Sequence, residues 1–352
     1  MGDLLQETTL PGTFPGLAQS VNGAALAYLD NAATTHMPLA VLEAMREFET
    51  TSRANIHRGV HTLSQRATDA YERAREDLKR FIGAGRSHDL VFTSGTTEAL
   101  NLVAHGLSDR AGGPSYLRPR DEIIVSGLEH HANLVPWQQA ARRSGATLRI
   151  LRPDAQGRLH ADDLARLLTP RTMVFAVTAC ANATGERPPY EDLLALASEA
   201  GALTVLDAAQ AAAHEMPRLS GLDCDFIAFS GHKMYGPMGI GGLAGARKSL
   251  DRLAPLRLGG DMVTWVTEQE ASFAELPARL EGGTPNVAGA VGMAAAAAFI
   301  DGIGRAAIDV HLRALRAHAV AGLSALEGVT VLAPHAEQSA IVSFVADGAH
   351  PH

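Results

Sequence analysis

The chain has 352 residues, 46% hydrophobic and 19% charged, with a formal net charge of −8, long enough for one large core plus a smaller domain. Its basic residues are scattered, which speaks against a nucleic-acid or anionic-membrane partner, because phosphate-backbone binding needs clustered Lys and Arg. No apolar run reaches the ~20 residues of a membrane span, and Met1-Gly-Asp-Leu-Leu-Gln-Glu lacks the basic and apolar regions of a secretory signal, so a cytosolic protein is expected.

Taken in chain order, a helical pattern at 65–82 precedes an apolar run at 90–93, and a second helix is expected over 97–106. Strand-like runs at 122–126 and 147–151 flank a helix at 134–143, and a run at 173–178 leads to a helix at 190–200. Three further runs follow at 203–207, 226–230 and 239–244. Seven short apolar runs alternating with longer helical patterns predict an α/β fold, a mostly parallel seven-stranded sheet wrapped by helices. In such sheets the chemistry collects at the carboxyl ends of the strands. After Pro285 the texture changes to Ala-rich helices at 287–303 and 306–326, then strand-like runs at 329–332 and 340–345. These read as a smaller α+β domain that is incomplete at His350-Pro351-His352, since two strands are a poor cover for two helices. The expected division is an N-terminal segment, 1–27, packing with the small domain, a large cofactor-binding domain, 28–285, and a small domain, 286–352.

The motifs fall at strand ends. Ser94-Gly95-Thr96-Thr97-Glu98 joins a strand to a helix and sets small residues and hydroxyls at its N-terminus, where free N–H groups and the helix dipole favour a phosphate; ordinary N-capping explains the same residues. His130, after Leu128-Glu129, is a candidate to lie flat on an aromatic cofactor ring near a proton-transfer path. Asn182, in a strand-to-turn segment, is placed to hydrogen-bond a ring hydroxyl or a substrate carboxylate, or serves the turn alone. Asp207 ends the apolar run 202–206, where a carboxylate can keep a pyridine nitrogen protonated or cap the next helix. Ser230-Gly231-His232-Lys233 leaves the run 225–229 with a lysine preceded by a hydroxyl and an imidazole. A partly desolvated lysine beside other cationic groups has the lowered pKa that Schiff-base chemistry with an aldehyde such as pyridoxal phosphate (PLP) needs, and Ser230 and His232 can add phosphate contacts. The two cysteines, Cys180 and Cys224, read as small buried hydrophobes rather than reactive thiols. The 15 histidines suggest no metal site, since the neighbours His130 and His131 diverge on a helix or a strand.

These residues carry a resemblance. Tyr28-Leu-Asp-Asn-Ala-Ala-Thr-Thr35, Asn55-Ile-His-Arg-Gly-Val-His-Thr-Leu-Ser64, Gly95-Thr-Thr-Glu98, Glu129-His-His-Ala-Asn133 with Pro136-Trp137, Asp207-Ala-Ala-Gln210, Ser230-Gly-His-Lys-Met-Tyr-Gly-Pro237 and Glu281-Gly-Gly-Thr-Pro-Asn286 occur in one order along nearly the whole chain. Together they resemble fold-type I PLP enzymes of the class V aminotransferase group, and within it the cysteine desulfurase and selenocysteine lyase branch, group II (Suf-type) more than group I.

The resemblance implies that Lys233 is the Schiff-base lysine, Asp207 the partner of the pyridine nitrogen and Gln210 a hydrogen-bond partner of the ring hydroxyl. His130 would stack on the ring, and Thr96, Thr97, Ser230 and His232 would hold the phosphate. Thr284 would contact the phosphate of a neighbouring subunit's cofactor, which implies a homodimer, and Asn182 would lie near the substrate. Around Asn182 the family often has His and Ser where this chain has Ala179 and Ala181. The implied reaction converts L-cysteine to L-alanine, passing sulfur as a persulfide to an acceptor protein for iron–sulfur cluster assembly. The family's Arg-Thr-Gly-His-His-Cys loop, whose cysteine takes the sulfur, and a later substrate-gripping arginine are expected past His352; neither Cys180 nor Cys224 matches that cysteine. Two other readings stay open, a class V aminotransferase, lyase or epimerase that needs no cysteine, and a catalytically dead PLP-fold subunit.

Overall fold

A computed structural model of the chain describes residues 12–109, 115–336 and 339–350. A small hairpin of β1 (Ser20–Val21) and β2 (Ala24–Ala25) precedes helices α1 (Leu39–Thr51) and α2 (Thr62–Phe81). The central run is β3 (His88–Thr93), α3 (Thr96–Ser108), β4 (Glu122–Ser126), α4 (Val135–Ser144), β5 (Thr147–Leu151), α5 (Ala161–Leu167), β6 (Thr172–Thr178), α6 (Tyr190–Glu199), β7 (Leu203–Asp207), β8 (Phe226–Ser230) and β9 (Gly241–Ala246). It is followed by α7 (Arg247–Leu250), a hairpin of β10 (Val263–Val266) and β11 (Ala271–Phe273), helices α8 (Val287–Ile303) and α9 (Arg305–Ser324), and the pair β12 (Val329–Leu332) and β13 (Ser343–Ala346).

The seven-stranded sheet has the order β3-β9-β8-β7-β6-β4-β5. Strands β4, β5, β6, β7 and β8 pair in parallel, and β9 runs against both β3 and β8. The expected mostly parallel sheet flanked by helices is therefore present. All residues of β7 and β8 are buried, because helices cover both faces and leave no strand face for polar side chains. Alternate residues serve opposite faces. Along β8, Ile227 and Phe229 join the core under α2, α6 and α8, whereas Phe226 and Ala228 join the core under α3 and α4 with Trp137. Strand β9 is rich in glycine for a steric reason. A Cβ on Gly241 would sit 2.5 Å from the Gly95 Cα, and one on Gly242 would sit 2.7 Å from the Phe229 ring, so only glycine lets β9 pass between β8 and the start of α3.

Differences from the sequence reading have local causes. The segments 39–51 and 161–167 are helical without having been expected, and the 263–273 hairpin is exposed along nearly all of both strands, which removes the polar–apolar alternation that marks a strand. The Ala-rich α8 packs on α1 and α2 within the larger core. Its small residues permit close approach, as at Gly292, where a Cβ would lie 2.7 Å from the Met45 Sδ. Helix α9 leaves α8 at 78° and packs with β12. Of the N-terminal segment, residues 1–11 lie outside the described residues; Phe14 packs on both Tyr235 and Phe299 of α8, at 5.8 Å between ring centroids in each case. Among the described residues no single helix is long and apolar enough to cross a membrane.

Candidate active site

Four neighbouring strands, β8, β7, β6 and β4, end on the same edge of the sheet, and most of the residues singled out from sequence lie just at or past those ends. Asp207 is the last residue of β7, with its backbone held between Ala179 and Ala228. Its side chain is 4% exposed. One carboxyl oxygen accepts the Ala209 N–H at 2.9 Å, and the other has no hydrogen-bond partner among the described residues. Burial pushes this carboxyl above the usual aspartate range, against the pull of the Ala209 N–H, Lys233 and His130. A cation bound at the open oxygen would reverse that shift.

Lys233 closes a one-turn 3-10 helix after β8. Its amine makes no hydrogen bond or close ion pair among the described residues, and burial lowers its pKa, offset in part by Asp207 and Cys180. The chain has three lysines; Lys79 is paired with Glu76 and Lys248 is exposed on α7. His130 has its Nδ1 accepting the Ala132 N–H at 3.1 Å, which leaves Nε2 for another partner. Burial and the nearby Lys233 lower the pKa of His130, and the same two causes act on His232.

The start of α3 meets the end of β8 at Ser230. The Thr96 N–H donates to Ser230 Oγ at 2.7 Å, and the two hydroxyls are also 2.7 Å apart. Thr96 is thereby buried and spoken for, while Thr97 is exposed beside it. The N-cap is Gly95, at φ +149°, and a Cβ there would reach 3.3 Å from Ser230 Oγ, so glycine keeps open the space before these donors. Glu98 places a carboxylate at the same helix end, accepting the Ser94 N–H at 2.6 Å, and Arg257 neutralises it at 2.7 Å.

Gln210 follows β7 and donates from Nε2 to the Ala32 carbonyl at 2.9 Å. It lines a small cavity with Cys180, Arg187, His214 and Ser339. Asn182 lies in the turn after β6, two residues beyond Cys180, with no hydrogen bond from its side chain among the described residues. Thr284 sits exposed in the loop before α8 and makes no hydrogen bond to the others. Both cysteines are buried, and burial raises each thiol pKa, which suppresses the nucleophilic thiolate.

Two of the groups in the quoted motifs that had been given no role are tied into this site. Thr35, in the 28–35 segment, bonds to the backbone around Lys233. Glu129 is the other. The residue as a whole is half-buried but its carboxyl is enclosed. It accepts from the Ser126 hydroxyl, from Asn133 Nδ2 at 2.6 Å and from the Thr178 N–H at 2.7 Å, which ties the His130 turn to the ends of β4 and β6. Burial pushes the Glu129 carboxyl up to about 8 from an ordinary 4.5, with Asp207 adding to the rise and the three donors opposing it. Folding then takes up a proton between these values, and stability from this group falls as pH rises from 4.5 towards about 8. Glu129→Gln is expected to flatten that decline, measured as urea-unfolding free energies at about pH 5 and about pH 8.

The arrangement fits PLP: an unpaired amine, a buried carboxylate with one open oxygen, and a helix N-terminus kept clear by glycine converge on one sheet edge. The chain matches the family model for class-V aminotransferases over residues 27–352. It is 45% identical to a probable cysteine desulfurase 2 of Mycobacterium leprae over 99% of this chain and 83% of that one. Among solved structures it resembles the apo cysteine desulfurase of Thermococcus onnurineus NA1, with a TM-score of 0.87 and 38% identity over 93% of this chain and 80% of that one. It also resembles the cysteine desulfurase CsdA of Escherichia coli, with a TM-score of 0.83 and 38% identity over 92% and 79%.

Proposed function

The chain belongs to the class-V aminotransferase family, PLP-dependent enzymes, and from that premise we propose that it is a cysteine desulfurase, taking L-cysteine to L-alanine and passing the sulfur on as a persulfide. The observation that carries the reading is the convergence of Lys233, Asp207 and the Thr96–Ser230 pair on one sheet edge, in a chain similar along almost its full length to proteins named as cysteine desulfurases.

PLP supplies an aldehyde that condenses with amines and a ring that accepts the electron pair left when a substrate α-proton departs. Lys233 would hold the aldehyde carbon through Nζ, helped by the burial that lowers its pKa. When free, that amine would serve as the base that moves the substrate α-proton. Asp207, with one oxygen open, would hold the proton on the ring nitrogen. His130 would cover one ring face, Gln210 and Asn182 would address the ring hydroxyl and substrate side, and Thr97, Ser230 and His232 would take the phosphate with the N–H groups at the start of α3. The buried thiols of Cys180 and Cys224 are not assigned as sulfur acceptors; the resemblance gives that role to the cysteine of the Arg-Thr-Gly-His-His-Cys loop, whose sulfur would bond to the substrate sulfur as the substrate carbon–sulfur bond breaks.

We assign a homodimer in which Thr284 reaches the partner's phosphate. Its support is a set of strongly exposed apolar side chains on loops tied to one another: Val60, Met238 and Leu258 are 94%, 70% and 72% exposed. The loops are joined by the Arg58–Asp261 ion pair at 2.8 Å, the Gly283 N–H to the Gly260 carbonyl at 2.9 Å, and Asn286 Nδ2 to the Gly239 carbonyl at 3.2 Å. Exposed apolar side chains gathered on loops joined in this way support an interface there. Delivery of sulfur to an acceptor protein for iron–sulfur cluster assembly in the cytosol completes the reading.

Because neither Cys180 nor Cys224 is assigned as the acceptor, the test uses the chain joined to an Arg-Thr-Gly-His-His-Cys segment: incubation with L-cysteine, PLP and dithiothreitol is expected to yield alanine and sulfide in equal amounts. Amino-acid turnover without sulfide would overturn the desulfurase reading in favour of a class-V aminotransferase, lyase or epimerase.

A further inference from the structure

The turn that presents Lys233 is held from outside by a segment nearly two hundred residues earlier in the chain. The His232 carbonyl, which directly precedes the lysine, accepts three hydrogen bonds: the Thr35 N–H at 2.8 Å, Thr35 Oγ1 at 3.0 Å and Thr34 Oγ1 at 3.2 Å. Past the lysine, the Tyr235 N–H donates to the same Thr35 Oγ1 at 2.8 Å. A threonine hydroxyl has one proton to give and lone pairs to receive, so a single side chain bridges the backbone on both sides of Lys233 and Met234. Tyr235 is at φ +63°, a left-handed conformation costly for a bulky residue and kept only where its surroundings over-determine it. Here the surroundings are Thr35 on its N–H and the rings of Phe14 and Phe299 on its side chain. The same segment also receives the Gln210 amide, at the Ala32 carbonyl.

We propose that Thr35 is a positioning residue for Lys233, its hydroxyl and N–H clamping the backbone on either side of the lysine so that the amine is held in one orientation towards the cofactor. The inference rests on the reading of Lys233 as the cofactor-binding lysine. Without the clamp the turn populates other conformations, and the apparent cofactor affinity falls by the fraction that stays competent.

The test uses the purified full chain, with PLP as the probe. Measured are the dissociation constant for PLP, the rate at which the visible band of lysine-bound PLP appears on adding PLP to apoprotein, and the thermal midpoint of the apoprotein. Thr35→Val keeps the shape and removes the hydroxyl; it is expected to weaken PLP binding and slow band formation by about tenfold each. Thr35→Ser, which keeps the hydroxyl, is expected to stay within about twofold of wild type, and Thr34→Val, which spares the Thr35 bridge, likewise. Thr35→Ala removes the same hydroxyl and carries the same expectation if the valine variant does not fold. A Thr35→Val protein with a lowered thermal midpoint but unchanged affinity and band formation would overturn the inference, leaving Thr35 a stabilising residue only. A Thr34→Val effect as large as that of Thr35→Val would also overturn it. Borohydride reduction and mass mapping keep the two claims apart: a wild-type adduct elsewhere than Lys233 sinks the reading of the lysine, and an adduct on Lys233 that is insensitive to Thr35→Val sinks the clamp alone.

Discussion

Lys233→Ala is expected to abolish the visible band of protein-bound PLP, to leave no borohydride-reducible adduct and, in the chain joined to the Arg-Thr-Gly-His-His-Cys segment, to lower turnover of L-cysteine by at least about a thousandfold. The expectation is strong because neither of the other lysines can stand in. Of the chain's three lysines, Lys79 lies on α2 in an ion pair with Glu76, and Lys248 lies on α7, beyond β9. Burial lowers the Lys233 pKa and so raises the fraction of neutral, nucleophilic amine. Absorbance of wild type and variant at matched PLP, followed by peptide mapping after reduction, measures the result. A visible band that persists in Lys233→Ala would place the covalent site elsewhere.

Glu281→Ala is expected to destabilise the protein by about 3 kcal/mol, the low end of the range for breaking a buried ion pair, because Glu72 still faces the guanidinium. Glu281 receives Arg75 through both guanidinium nitrogens, at 2.6 and 3.0 Å, the Tyr71 hydroxyl at 3.0 Å and the Phe92 N–H at 2.6 Å. Its removal strands a guanidinium whose side chain is 5% exposed, with Glu72 as its remaining carboxylate partner. It also frees the first residue of the Glu281-Gly-Gly-Thr284 loop, so the proposed reach of Thr284 to a partner subunit should weaken in parallel. Urea unfolding gives the stability change, and sedimentation at graded concentration gives the dimer. Pairing Arg75→Met with Glu281→Leu should recover part of the loss, because apolar replacement removes the buried charge altogether. A double variant no more stable than Glu281→Ala would show that packing rather than charge sets the cost.

Much of the architecture was legible because strands covered on both faces must be apolar throughout. The runs at 203–207 and 226–230 coincide with such strands, those at 122–126 and 147–151 also coincide with strands although β5 is a half-exposed edge, and the helix at 287–303 was placed with its observed ends. Segments whose stability comes from distant partners were not legible. Helix α5 has seven residues, too few to display a period, and the β10–β11 hairpin has no buried face to alternate against. The texture change at Pro285 marked a new helix truthfully, yet α8 spends its buried face on α1 and α2 in the larger core, which its uniform Ala-rich surface could not announce. At the site, Lys233, Asp207 and Ser230 could be named from their places at strand ends, whereas Glu129 and Thr35 stood within quoted motifs without roles.

By itself the sequence determined which groups could do chemistry and on which strands they would sit, since local apolar periodicity and turn residues are short-range properties of the chain. Tertiary structure alone decided which of those groups are free and which are engaged. Thr96 is taken up by Ser230 while Thr97 stays open, Asp207 keeps one oxygen bare, and Glu281 is held by Arg75 on α2. Thr35 grips the backbone around Lys233. Such pairings join residues far apart in the chain, and their geometry exists only once the sheet has twisted and its helices have packed on both faces.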